Sequence, residues 1–249
     1  MATLAAPAIA VPTDAFVGLP HWEIAVRPAH YVAARIATQP ELGRLVADST
    51  VNWRAWGYPL TVEDQRWNQG SASISLQATG PGGRRERLRF FQSGLFEHQF
   101  TFVEEAYRDD LATHVLPHVR VPTAFCPSGF VSYEETLRIL TEVFEFAARL
   151  CESGQFGETV VIRVNMTNVR NRLLVTSDWR HRRWTSFCPA RQETLDYDSG
   201  VLTAVGLIAA RRELAIDAAI SFYEQFGWTG YSRQLLRADQ ERLVDRQFA

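Results

Sequence analysis

Three groups of side chains in this sequence have types and spacings suited to chemistry. The first is basic. Between Val161 and Arg191 stand Arg163, Arg170, Arg172, Arg180, Arg182, Arg183 and Arg191, against one acid, Asp178, in a chain whose formal net charge is −2. Trp179 and Trp184 bracket the run Arg180-His181-Arg182-Arg183. Guanidinium forks grip phosphate or carboxylate at two points, and aromatic rings stack on bases. Arg163, Arg170, Arg172, Trp179, Arg180, Arg182, Arg183 and Trp184 are therefore the candidate surface for a protein or nucleic-acid partner. The plainer alternative is a solvated hairpin whose arginines pair with the acids of a neighbouring helix, Glu134, Glu135, Glu142, Glu145 and Glu152.

The second group is His114-x-x-x-His118, the spacing at which two imidazoles on one helical face share a metal. Pro117 interrupts that face and no third ligand is evident, so no metal site is assigned. The third is Glu97-His98 with Glu104 and Glu105, residue types that do acid–base work. Adjacent strand residues point to opposite faces, so Glu97 and His98 are not expected to cooperate. Gly-x-Ser-x-Gly is absent, and the glycines of Gly80-Pro81-Gly82-Gly83 lack the Lys and Ser or Thr of a phosphate cradle. No catalytic residue and no cofactor are assigned. A metal-assisted hydrolase or nuclease built on residues 97 to 118 is the alternative function.

Composition narrows the classes. With 249 residues and 46% hydrophobic content the chain can bury a sizeable core. All 26 basic residues are arginine, a bias that GC-rich coding also produces. Cys126, Cys151 and Cys188 are far apart and form no C-x-x-C pair, which argues against a disulfide framework or zinc ribbon; Cys151 reads as core. No apolar run approaches the ~18 residues of a membrane span, and the N-terminus lacks a basic n-region, so a cytoplasmic location without membrane contact is expected. Nothing points to a small-molecule ligand.

The elements that must position these residues follow from periodicity. Residues 1–19 read as a flexible Ala/Pro-rich tail and 20–249 as one α+β domain. Trp22, Ile24 and Val26 alternate with polar neighbours in a strand ended by Pro28. Pro40 opens a short helix with Leu42, Leu45 and Val46 inward. The aromatics of Val51 to Pro59 read as core and turn rather than a base-stacking platform. Strands at 73–78, 87–92 and 95–102 form an antiparallel meander, and prolines make 103–128 an irregular connection. Ser132 and Glu135 have capping-box spacing, starting a helix with Leu137, Leu140, Phe144, Ala147, Ala148 and Cys151 on its inner face. Thr159–Val164 and Leu173–Val175 read as a hairpin packed on that helix. A second long helix spans Val201 to Phe226 and a last one Ser232 to Val244. The expectation is a mostly antiparallel sheet covered by two long helices.

Four phrases in order carry a resemblance: Arg54-Ala55-Trp56-Gly57-Tyr58-Pro59, Arg89-Phe90-Phe91-Gln92-Ser93-Gly94-Leu95-Phe96, Val143-Phe144-Glu145-Phe146-Ala147-Ala148-Arg149-Leu150 and Phe222-Tyr223-Glu224-Gln225-Phe226-Gly227-Trp228. Together they resemble an uncharacterised accessory region of bacterial proteins that often carry a schlafen-type AlbA DNA-binding domain. Only some twenty residues precede Trp22, too few for that domain, so its DNA-binding role is not carried over. The resemblance implies a bacterial accessory module and transfers no catalytic residue. The expected function is thus a non-catalytic accessory module that binds a macromolecular partner through the arginine/tryptophan-rich edge.

Overall fold

The computed structural model describes residues 16–53, 57–60, 67–80, 83–178 and 184–245. The tail through residue 15, Arg54-Ala55-Trp56, Pro81-Gly82 and the run from Trp179 to Arg183 lie outside them.

The fold is α+β. Strands β1 (His21–Pro28), β2 (Asn68–Gln69), β3 (Ser73–Thr79), β4 (Arg85–Phe91) and β5 (Phe96–Thr101) precede β7 (Thr159–Thr167) in one antiparallel sheet. Its order is β10-β7-β1-β5-β4-β3-β2, with β9 (Thr194–Asp198) and β10 (Leu202–Thr203) along the same edge of β7. The meander is present as the turn signals require, with Phe90 opposite Phe96 and Leu88 opposite His98.

Helices cover one face. They are α1 (Gln39–Ser49), α2 (Arg108–His114), α3 (Tyr133–Glu152), α4 (Ala204–Gln225) and α5 (Arg233–Asp245). The two long ones, α3 and α4, supply the cover. Phe146 of α3 meets Phe96 at 4.7 Å between ring centroids, Phe144 meets Tyr197 at 6.2 Å, and Phe222 of α4 meets Trp22 edge-on at 5.8 Å. Apart from half-buried Tyr197, each ring is withdrawn from water, worth about 1.5–3 kcal/mol for a fully buried side chain. Ser132 caps α3 as its spacing predicts, its hydroxyl oxygen accepting from the Glu135 N–H at 3.2 Å. Cys151 and Cys188 are buried, and burial raises both thiols to about 11.

The predicted hairpin is not formed. After β7 the chain turns through Asn168 and Asn171, both with positive φ, a conformation asparagine tolerates. It then leaves the sheet, because β7 already pairs with β1 on one side and with β9 and β10 on the other. Strand β8 (Arg172–Val175) instead pairs in parallel with β6 (Gly129–Ser132). The connection 103–128 contains a 3₁₀ turn (Val103–Tyr107), α2 and a second 3₁₀ turn (Leu116–His118) before Pro122 and Pro127. The helix expected from Val201 begins at Ala204, since Leu202 and Thr203 pair with β7.

Candidate functional site: the open face of the sheet

Strand parity decides what the other face displays. On β1, Trp22, Ile24 and Val26 point to the helices, leaving Glu23, Ala25 and Arg27 on the opposite side. Registers extend this into rows. One row runs Asp198, Arg163, Ala25, Glu97, Arg89, Ser75 across β9, β7, β1, β5, β4 and β3. The next runs Asp196, Asn165, Glu23, Gln99, Arg87, Gln77. Among the described residues no helix lies over these rows.

A depression of about 360 Å³ opens over Ala25, lined by Glu23, Arg87, Arg89, Glu97, Gln99, Arg163 and Asn165. Its floor is the one methyl side chain in a ring of charges, with Glu23 and Arg27 along the strand and Arg163 and Glu97 on either side. The two carboxylates differ in setting. Glu23 accepts from Gln99 at 3.2 Å and from Asn165 at 3.4 Å, and lies 3.1 Å from His21 Nε2. The bond with His21, above all, holds its carboxyl below the usual value against the effect of burial. Glu97 forms no hydrogen bond or ion pair with a described residue. Burial pushes its carboxyl up, and the charges of Arg89 and Arg87 only partly counter that. Arg163 pairs with Asp198 at 2.7 Å. Arg89 lies directly opposite Glu97 in the register but forms no ion pair with it; its guanidinium stands 5.5 Å from the Phe91 ring.

Two further polar groups lie inside the protein. His98 is fully buried on the helix-facing side, its Nε2 3.0 Å from Glu86 and its Nδ1 3.3 Å from the Tyr58 hydroxyl. Arg84 holds Glu86 at 2.8 Å. The imidazole and carboxylate are sealed from solvent, so they tie β4, β5 and the 57–60 segment together rather than meeting a substrate. At the other end, the Arg172 guanidinium packs over Gly129, donates to the Phe130 carbonyl at 3.1 Å and pairs with Glu105 at 2.6 Å.

The expected edge is therefore divided. Arg163 lies on the open face and Arg170 is exposed. Arg172 is buried at 3% exposure and Trp184 at 8%, the latter stacked on Tyr133 at 5.6 Å and against Trp228 at 4.8 Å, so neither presents itself to phosphate or base. Trp179, Arg180, Arg182 and Arg183 lie outside the described residues. Among the described residues, Glu134, Glu135, Glu142 and Glu145 of α3 are engaged by partners other than Arg163, Arg170 and Arg172. Glu135 and Glu142 pair with Arg138, Glu145 with Arg149 and Arg211, and Glu134 accepts from Thr176 and Ser177.

Residues 97 to 118 do not converge. Glu97 is on the open face, His98 in the core, Glu104 against the Ser132 N–H at 2.7 Å and Glu105 on Arg172; His114 and His118 are exposed. Among the described residues no three His, Cys, Asp or Glu side chains gather as a metal would need. No described helix is long and apolar enough to cross a membrane. Sequence reading singled out Arg163 and, separately, Glu97, but not their juxtaposition, because strand order alone brings Arg163 beside Ala25 and Glu97.

No protein-family model, curated protein or solved structure matches this chain. The likeness to the bacterial accessory region rests on the quoted phrases alone.

Proposed function

We propose that this chain is a non-catalytic accessory module that binds a protein partner through the open face of its sheet. The observation that supports this is the charge pattern of that face. Arg27, Arg85, Arg89 and Arg163 alternate with Glu23, Glu97, Asp196 and Asp198 on neighbouring strands. A polyanion laid across these rows meets four carboxylates, whereas a protein surface of complementary mixed charge meets a partner at each position. Arginine also suits interfaces, because its fork loses little freedom on binding.

The test compares the wild-type protein with Arg89→Glu/Arg163→Glu as baits, alongside titration with labelled single- and double-stranded DNA and RNA at low salt. The expected result is a protein retained stoichiometrically by the wild type, released by salt and lost with the double variant, and no oligonucleotide binding. Oligonucleotide binding whose salt slope flattens by roughly two to three units in Arg180→Ala/Arg182→Ala/Arg183→Ala would overturn it in favour of a nucleic-acid edge.

A further inference from the structure

The depression over Ala25 carries an inference beyond partner binding: we propose that it is a binding site for a small zwitterion, an α-amino acid or a molecule with the same paired ammonium and carboxylate. Three observations lead there. The volume, about 360 Å³, suits one small molecule. The floor is Ala25, a residue with little strand preference, where any longer side chain would fill the space between Arg163 and Glu97. The walls hold both signs of charge with groups to spare, since Glu97 and Arg89 form no hydrogen bond or ion pair among the described residues.

The geometry selects the ligand class. Glu97 and Arg89 are direct cross-strand partners, so their side chains leave the sheet about 4.5–5.5 Å apart. A ligand whose ammonium and carboxylate are separated by two bonds to one carbon can engage Glu97 with the first and Arg89 with the second. A dicarboxylate leaves Glu97 without an ammonium and a diamine leaves Arg89 without a carboxylate, so neither satisfies both members of the cross-strand pair. Glu97 is half-buried and burial pushes its carboxyl up, which Arg89 and Arg87 only partly counter, so an arriving ammonium adds favourable counter-charge beside it. Glu23, bonded to three neighbours, stays fixed in the wall of the site.

Isothermal titration of the full chain with each common L-amino acid, with succinate and with putrescine tests this directly. At least one amino acid is expected to bind at millimolar concentration or below, with neither control binding. Glu97→Gln, near-isosteric, and Arg89→Gln, which shortens the side chain and removes its charge, both lie on the open face and are each expected to weaken that binding by about tenfold or more. Ala25→Leu removes no charge and is expected to abolish it. Urea unfolding of each variant confirms that the fold persists. No binding by any amino acid, equal binding of succinate, or affinity unchanged in Ala25→Leu would overturn the proposal. None of these results depends on whether a protein partner is found, and failure to find one leaves the titration standing.

Discussion

Glu86 shows how one buried carboxylate couples stability to pH. Burial alone would raise its pKa, but Arg84 and the bond from His98 outweigh that and hold it at about 2, against an ordinary 4.5. Folding thus favours the ionised form. The stabilisation is complete above the unfolded-state value and is lost as pH falls from about 4.5 towards 2, a shift worth about 3 kcal/mol. Glu86→Gln is expected to cost about 3–5 kcal/mol at pH 7, since it removes the carboxylate charge held between buried Arg84 and His98, and the difference from wild type in urea unfolding should shrink at pH 3. Glu104 has the opposite sign. Burial raises its carboxyl, one oxygen accepts from Ser132 N–H and the other has no hydrogen-bond partner among the described residues. Glu104→Gln keeps that acceptor and drops a charge folding disfavours. It is expected to unfold no more easily than wild type at pH 8, with any gain vanishing as pH falls towards 4.5. Neither role was legible beforehand, because Glu86 and His98 are brought together by the β4–β5 register and Glu104 is buried by β6.

Elements differ in how much of their placement is local. The start of α3 is written in the Ser132 to Glu135 spacing, and the amphipathic positions from Leu137 to Cys151 are buried as that spacing implies. The β6–β8 pair has no such signature. Parallel pairing has no connecting turn to mark it, and both strands are four residues long. What holds it is Arg172 lying over Gly129, where an added Cβ would sit 2.7 Å from the guanidinium Nη1. Gly129→Ala is therefore expected to displace Arg172 from Glu105 and Phe130 and to lower the urea midpoint by the equivalent of about 1–3 kcal/mol. A midpoint equal to wild type would show that the guanidinium moves aside without loss.

On the scale of the whole molecule, α4 joins distant parts of the chain. Phe222 packs on Trp22 near the start, and the Tyr223 hydroxyl donates to the Tyr133 carbonyl at 2.8 Å. Truncation before Val201 removes α4 and α5 and uncovers the apolar face of β1, at roughly 25 cal/mol per Å² of exposed apolar surface. The fragment of residues 1–200 is expected to be insoluble. Cooperative unfolding of a soluble fragment would show that residues 20–249 are not a single folding unit.

The sequence by itself determined the α+β class, the meander, the long helices within a few residues and, on β1, which side chains face the core. Those features rest on periods of two and 3.6 residues and on caps and turns, all local properties of the chain. Tertiary structure decided which strands are neighbours, and with that the charge map of the open face. Arg163 is 138 positions from Ala25 and 66 from Glu97 in sequence, yet all three share one row across adjacent strands. It also decided that Arg172 and Trp184 turn inward, since a guanidinium or an indole takes whichever environment pairs its polar edge and covers its face.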